Sequence, residues 1–187
     1  LSTANSAIFK MAAPQKRVDA DFLRGDTVKI ARALLGAELC RRFADGKITR
    51  LPIMETEAYD GFSDKASHAS KGKTARTRVM FGEAGHWYVY LCYGIHWMLN
   101  IVTREVDYPA AVLIRAAGSC DGPAKLTKAL GIDKSFNETA ALPQSGLWLE
   151  WSASPPAPRR IKTAPRVGID YAGPVWSQKP WRFILKK

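Results

Sequence analysis

Two glutamates and a tyrosine, Glu55, Glu57 and Tyr59, stand close together in the sequence and carry side chains suited to acid–base chemistry. The apolar run before them, residues 48–53, is typical of a β-strand. Strand side chains alternate between the faces of a sheet, which predicts one shared face for Ile53, Glu55, Glu57 and Tyr59. Two carboxylates and a ring together indicate a chemical site. The alternative is a strand end whose acidic residues face water.

A long polar segment, residues 60–85, follows this strand and is predicted to be a loop that carries function. Four cations lie in it, separated by glycine and threonine: Lys71, Lys73, Arg76 and Arg78. This spacing suits contact with phosphate, because glycine and short hydroxyl side chains let the backbone approach a nucleic-acid strand. A solvated loop is the alternative.

Aromatic side chains are concentrated in the next segment, which holds Trp87, Tyr88, Tyr90, Tyr93, His96 and Trp97. Tyrosine rings stack on nucleic-acid bases, and their hydroxyls form hydrogen bonds around them. Core packing is the alternative for part of this cluster. His68 lies in the preceding loop among small residues, where it suits either a local hydrogen bond or contact with a base.

A second basic element is predicted at a helix that begins near Pro123. The unpaired amides at a helix start attract anions. Lys125 lies in the first turn, and Lys134 follows the helix. Both lysines are therefore candidates for phosphate contact, with ordinary solvent-facing residues as the alternative.

The remaining pattern predicts the elements that position these residues. Asp26 is predicted to cap a helix that ends at Gly36. Strands are predicted at residues 37–43, 47–59, 86–93, 95–102, 110–115, 147–151, 164–169 and 181–186. These elements predict an α+β fold: a single compact domain with a curved, mainly antiparallel β-sheet flanked by a few helices.

The composition favours a polyanionic partner. The 187-residue chain has 28 Lys and Arg against 17 Asp and Glu, a net charge of +11, which favours nucleic acid over membrane. A merely soluble basic protein is the alternative. No apolar run is long enough to span a bilayer. The three cysteines are far apart, without a metal-binding motif, so we expect no metal, no cofactor and a reducing, intracellular location.

The ordered motifs resemble the alkyladenine (3-methyladenine, or methylpurine) DNA glycosylase family. The matching segments run from about residue 20 to the end of the chain: ETEAY at 55–59, His68, YVYLCYG at 88–94, Asn100, VLIRA at 112–116, GPAKL at 122–126, IDKSF at 132–136, RVG at 166–168 and PWRF at 180–183.

The resemblance implies a role for each matching residue. Glu57 matches the general base, while Arg115 and the backbone carbonyl of Val167 match the groups that hold the attacking water. The walls of the pocket for a flipped-out base match Tyr59, His68 and Tyr90, and the residue that disfavours guanine matches Asn100. The side chain inserted into the duplex matches Tyr93, and the backbone-contacting lysines match Lys125 and Lys134; Arg76 and Arg78 are further candidates for phosphate contact.

The resemblance also implies a monofunctional enzyme that hydrolyses the N-glycosidic bond of alkylated or deaminated purines and leaves an abasic site. Its expected partner is double-stranded DNA that contains damaged purines, and we expect a monomer. Residues 1–17 are expected to be a flexible basic segment before a single domain at residues 18–187. The alternatives are a non-catalytic nucleic-acid-binding module and a carbohydrate hydrolase that uses Glu55 and Glu57 as its acid–base pair.

Overall fold

The long strand that carries the two glutamates lies in the interior of a β-sheet. The computed structural model describes residues 16–157 and 160–186. Its α-helices are α1 (Ala20–Leu23), α2 (Thr27–Ala33), α3 (Pro123–Ala129) and α4 (Gly173–Ser177). Its strands are β1 (Glu38–Arg42), β2 (Ile48–Asp60), β3 (Trp87–Cys92), β4 (His96–Val102), β5 (Ala110–Ala117), β6 (Leu147–Glu150), β7 (Ile161–Ala164) and β8 (Arg182–Leu185).

These strands form one antiparallel sheet in the order β3-β4-β5-β2-β1-β6. β5 pairs with one edge of β2. The other edge of β2 pairs first with β1 and then with β8, which also pairs with β7. The prediction of an α+β fold with a mainly antiparallel sheet is confirmed. None of the helices in the described part of the chain has the length and apolar character needed to cross a membrane.

The helix predicted after Asp26 is confirmed as α2. The Asp26 side chain accepts a hydrogen bond from the Lys29 amide at 2.9 Å and so satisfies an unpaired donor of the first turn. α2 packs on β2, where the Thr56 hydroxyl donates to the Ala31 carbonyl at 2.7 Å. The main core includes the fully buried side chains Leu34, Ile53, Trp87, Leu99, Ile114 and Leu126.

The predicted strand at residues 164–169 is wrong. The strand there is β7, which ends at Ala164, and irregular chain follows. Pro165 has no amide hydrogen to continue a ladder, and Gly168 has a φ of +72°, outside the extended region. The amide of Val167 is therefore free to bond elsewhere, and it does so in the site described below.

The polar segment at residues 60–85, predicted to be a loop, contains two short 3₁₀ helices, at His68–Lys71 and Arg78–Phe81.

Most of the basic segment predicted at residues 1–17 lies outside the described residues. Its last two residues run beside β6, where the Trp151 amide donates to the Lys16 carbonyl at 2.7 Å.

Candidate active site

The acidic centre of the site is Glu57, whose side chain is fully buried in β2. Its Oε1 accepts a hydrogen bond from the Val167 amide at 2.8 Å, and its Oε2 accepts one from the Tyr59 hydroxyl at 2.8 Å. Arg115 Nε lies 3.5 Å from Oε1. Burial raises the pKa of Glu57 above its usual value, while Arg115, the amide and the hydroxyl offset part of that rise. The result is a buried carboxyl with raised proton affinity.

Glu55 stands beside Glu57 but has different partners. Its Oε1 accepts hydrogen bonds from Arg115 Nε at 3.0 Å and from Arg182 Nη1 at 3.1 Å. Arg115 therefore bridges both glutamates. The carbohydrate-hydrolase alternative needs an acid and a base on either side of the bond to be cleaved, whereas these two carboxylates are held by one guanidinium.

The predicted alternation along β2 holds for Glu55, Glu57 and Tyr59 but is wrong for Ile53. The pairing of β2 with β5 is irregular between Ile53 and Thr56, as at a β-bulge. Because a bulge changes which face a side chain takes, Ile53 joins the main core together with Ala58.

Arg166, the residue before Val167, forms a fully buried ion pair with Asp64. Arg166 donates from Nη1 to Asp64 Oδ2 at 2.6 Å and from Nη2 to Oδ1 at 2.8 Å. Its Nη1 also donates to the Ala58 carbonyl at 2.8 Å. The guanidinium lies between the rings of Tyr59 and Trp181, with Cζ 4.7 and 5.1 Å from their centres. This pair fixes the chain next to Val167, and the sequence indicated Arg166 only through its neighbours and Asp64 not at all.

An aromatic cavity of about 520 Å³ opens beside these groups. The predicted wall residues Tyr59, His68 and Tyr90 all line it, together with Asn100, Arg115 and Val167. The rings of His68 and Tyr90 meet edge to face, with centres 4.7 Å apart. Burial, with a smaller contribution from Arg76, lowers the pKa of His68 to about 4, so this ring is neutral near pH 7.

Asn100 lies on β4 directly opposite Tyr88 on β3. It is buried, and its Nδ2 donates to the Tyr88 carbonyl at 3.0 Å while the residue lines the cavity. One side chain thus has both a structural bond and a position from which it can contact a bound molecule.

Tyr93 lies at the tip of the β3–β4 hairpin rather than in the predicted strand. Its φ is +50° and that of Gly94 is +71°; these two residues are the centre of a β-turn that the Ile95 amide closes by donating to the Cys92 carbonyl at 3.1 Å. The side chain is 89% exposed and also lines the mouth of the cavity. Tyr171 also lines the cavity; it is 70% exposed and donates its hydroxyl to the Ala66 carbonyl at 2.9 Å. No sequence pattern indicated Tyr171, an aromatic residue outside the main aromatic segment.

The predicted phosphate-contacting residues lie in different settings. Lys125 and Lys134 are exposed, at the start of α3 and of the 3₁₀ helix Lys134–Phe136. Arg78 pairs with Glu138, the closest N···O distance being 2.7 Å. Arg76 instead lines the cavity, with its guanidinium carbon 4.8 Å from the centre of the Tyr90 ring. The four loop cations therefore do not form one outward-facing row.

Across the described ranges, no three acidic, histidine or cysteine side chains cluster so as to hold a metal ion.

Comparison with known proteins places these residues in a family context. The sequence model of the family described as "Methylpurine-DNA glycosylase (MPG)" matches residues 21–119 and 117–187. A protein of Methanocella arvoryzae is 43% identical over 186 residues, covering 89% of this chain and 90% of its own length. Relatives from an Anaeromyxobacter species and Desulfitobacterium hafniense are 44% and 39% identical, covering 89% and 91% of this chain and 87% and 96% of their own lengths. All three are named "Putative 3-methyladenine DNA glycosylase".

Proposed function

The chain belongs to the methylpurine-DNA glycosylase family, and from this membership and its site we propose that it excises damaged purines from duplex DNA. In this proposal a monomer flips an alkylated or deaminated purine nucleotide out of the helix and hydrolyses its N-glycosidic bond. The observation that carries the proposal is a buried carboxyl, Glu57, whose three partners Tyr59, Arg115 and Val167 all line an aromatic cavity open to solvent.

The cavity supports recognition of a flipped purine. A base inside a duplex is out of reach of an enzyme, so it must be extruded at a cost of a few kcal/mol. The rings of Tyr59, His68 and Tyr90 line the cavity and provide aromatic surfaces for stacking. We therefore assign the cavity to the base.

We assign Glu57 as the general base. Two hydrogen bonds reach its two oxygens, from the Val167 amide and the Tyr59 hydroxyl, while Arg115 Nε donates to Glu55 and lies 3.5 Å from Glu57 Oε1. Since a carboxylate has about four acceptor positions, there is room for a hydrogen bond from a water. Glu57 takes a proton from this water, the water oxygen bonds to C1′ of the deoxyribose, and the C1′–N bond breaks with its electron pair leaving on the purine. Arg115 and the Val167 carbonyl are proposed to hold the water.

The hairpin tip and the exposed lysines provide the proposed DNA contacts. Tyr93 projects from the hairpin and fills the space that the flipped nucleotide leaves, which offsets part of the loss of base stacking. Lys125 and Lys134 contact phosphates, as the +11 charge of the chain favours.

Base release from defined duplexes tests the proposal. Duplexes carrying 3-methyladenine, hypoxanthine or ethenoadenine are expected to lose the damaged base, with strand cleavage appearing only after alkali treatment. Binding to these duplexes without release of any base would favour the non-catalytic binding module.

Asn100 is expected to set the choice among purines. Its amide lines the cavity while bonding the Tyr88 carbonyl, so the amino group that distinguishes guanine meets a fixed polar side chain. Replacement by serine or alanine should raise release of unmodified guanine relative to hypoxanthine by roughly ten- to a hundredfold, because crowding and an unpaired polar group are worth about 1–3 kcal/mol. The measurement is the ratio of the two release rates, with melting temperature alongside. An unchanged ratio in a folded variant would refute this role.

Tyr93→Ala is expected to weaken capture of the flipped nucleotide, because the gap in the base stack is then unfilled. The loss of excision should be largest for a lesion in a stable base pair and small for one opposite an abasic site, where extrusion costs little. Single-turnover rates on the two duplexes measure this difference. Equal losses in both would assign Tyr93 to the structure of the hairpin.

A further inference from the structure

Arg76 differs from the two neighbouring loop cations in what it contacts. Lys73 lies 3.4 Å from Asp107, and Arg78 lies 2.7 Å from Glu138. Among the residues that the structure describes, no carboxylate lies within ion-pair distance of Arg76. Its guanidinium instead lies over the Tyr90 ring and lines the aromatic cavity. The contact that positions this side chain is therefore with the cavity wall.

The Tyr90 ring is a principal surface of that wall. Its centre lies 4.7 Å from that of His68 and 5.1 Å from that of Tyr88. The face of an aromatic ring is electron-rich and attracts a cation, which is also the reason such a cavity attracts a positively charged purine. The guanidinium carbon of Arg76 is 4.8 Å from the ring centre, where a cationic purine stacked on the same face of the ring would also lie.

We propose that Arg76 is a charge gate, a residue that determines which lesions the cavity accepts. A purine with a fixed positive charge must displace the guanidinium from Tyr90 or stack beside a like charge. A neutral purine must also move the guanidinium aside, but it meets no like charge and can accept hydrogen bonds from the guanidinium on its ring nitrogens or carbonyl oxygen. Arg76 therefore biases the cavity toward neutral lesions. This inference rests on the proposed role of the cavity as a base pocket.

A charge gate and a phosphate contact at Arg76 would affect different ligands. A phosphate-binding arginine affects every DNA substrate and has no effect on a ligand without phosphate. A gate acts on the isolated base, because the conflict lies between the guanidinium and the purine ring. Ligands that lack sugar and phosphate therefore separate the two roles.

The test compares two purines that differ mainly in charge: 3,9-dimethyladeninium, a fixed cation, and neutral 9-methyladenine. The methyl group on the nitrogen that carries the sugar in DNA keeps both ligands similar to the flipped base. Calorimetry gives the Kd of each ligand for the wild-type protein and for Arg76→Gln, Arg76→Lys and Arg78→Gln. Arg78→Gln is the matched control, since Arg78 belongs to the same loop but pairs with Glu138.

Arg76→Gln is expected to shift the ratio of the two dissociation constants toward the cation by about two- to fivefold, the size of a cation–aromatic interaction at an exposed site such as that of Arg76. Arg76→Lys, which keeps the charge, and Arg78→Gln should stay near the wild-type ratio. An unchanged ratio in Arg76→Gln, with both ligands bound, would overturn the gate and leave the base pocket standing. If neither ligand bound to the wild type or to any of the three variants, both the base pocket and the gate would be overturned.

Discussion

Glu57→Gln is expected to lower the rate of base release by at least about a hundredfold, the lower end of what a positioned proton acceptor contributes. Glutamine keeps the shape: its oxygen can accept the Val167 amide, and its nitrogen can face the Tyr59 oxygen. The amide cannot take a proton from water. DNA binding and melting temperature should therefore stay near wild type while single-turnover release is lost.

Glu55→Gln is the matched control, since it removes the neighbouring carboxylate from the same strand. Glu55 bonds Arg115 and Arg182, so its loss should loosen Arg115 and reduce the rate far less than the loss of Glu57. If Glu55→Gln lost base release and Glu57→Gln kept it, Glu55 would be the general base instead.

The activity of the wild type is expected to depend on pH, because the active form of Glu57 is the ionised carboxylate and burial raises its pKa. Activity should therefore be lost as the pH falls through a value above that of an ordinary glutamate.

Asp64→Ala is expected to produce the largest loss of stability. The side chains of Asp64 and Arg166 are both fully buried, so removing the carboxylate leaves a guanidinium charge in the interior without its partner. Breaking such a pair costs about 3–5 kcal/mol, which corresponds to a fall of roughly 10 °C in Tm for a chain of this size. Chemical denaturation at constant pH measures the change in the free energy of unfolding.

The exposed ion pair of α1 provides the comparison. Asp21 contacts Arg24 at the surface, and its side chain is 88% exposed. Asp21→Ala should change the free energy of unfolding by less than about 1 kcal/mol, because solvent already screens the charges. Similar small losses in both variants would show that Arg166 finds other partners, such as the Ala58 carbonyl it already bonds.

The sequence predicted the features that depend on local patterns. The cap at Asp26 and the alternation from Glu55 to Tyr59 follow from backbone geometry within a few residues. The bulge near Ile53 does not, since it arises where β2 meets β5, about sixty residues later in the chain. Local patterning also extended a strand through residues 164–169, although Pro165 could have signalled its end.

The candidate site likewise has features that the sequence predicted and features that depend on contacts between distant parts of the chain. The motifs that resemble the family indicated which residues meet, and the structure brings Tyr59, His68, Tyr90, Asn100 and Arg115 around one cavity. The Asp64–Arg166 pair joins residues 102 positions apart, with no local signal. The carbohydrate-hydrolase alternative also depended on geometry: it needs two separately placed carboxyl groups, whereas Arg115 contacts both Glu55 and Glu57.

The position of β2 within the sheet has a consequence for motion. β5 bonds one edge of β2, and β1 and β8 share the other, so this strand can separate only when several ladders open together. The hairpin that carries Tyr93 lies at the end of the sheet, and its tip projects into solvent. We therefore expect the amide hydrogens around Glu57 to exchange slowly with solvent and those at the hairpin tip to exchange faster. A rigid interior keeps the carboxyl in place while the tip is free to adjust to the irregular surface of a DNA groove.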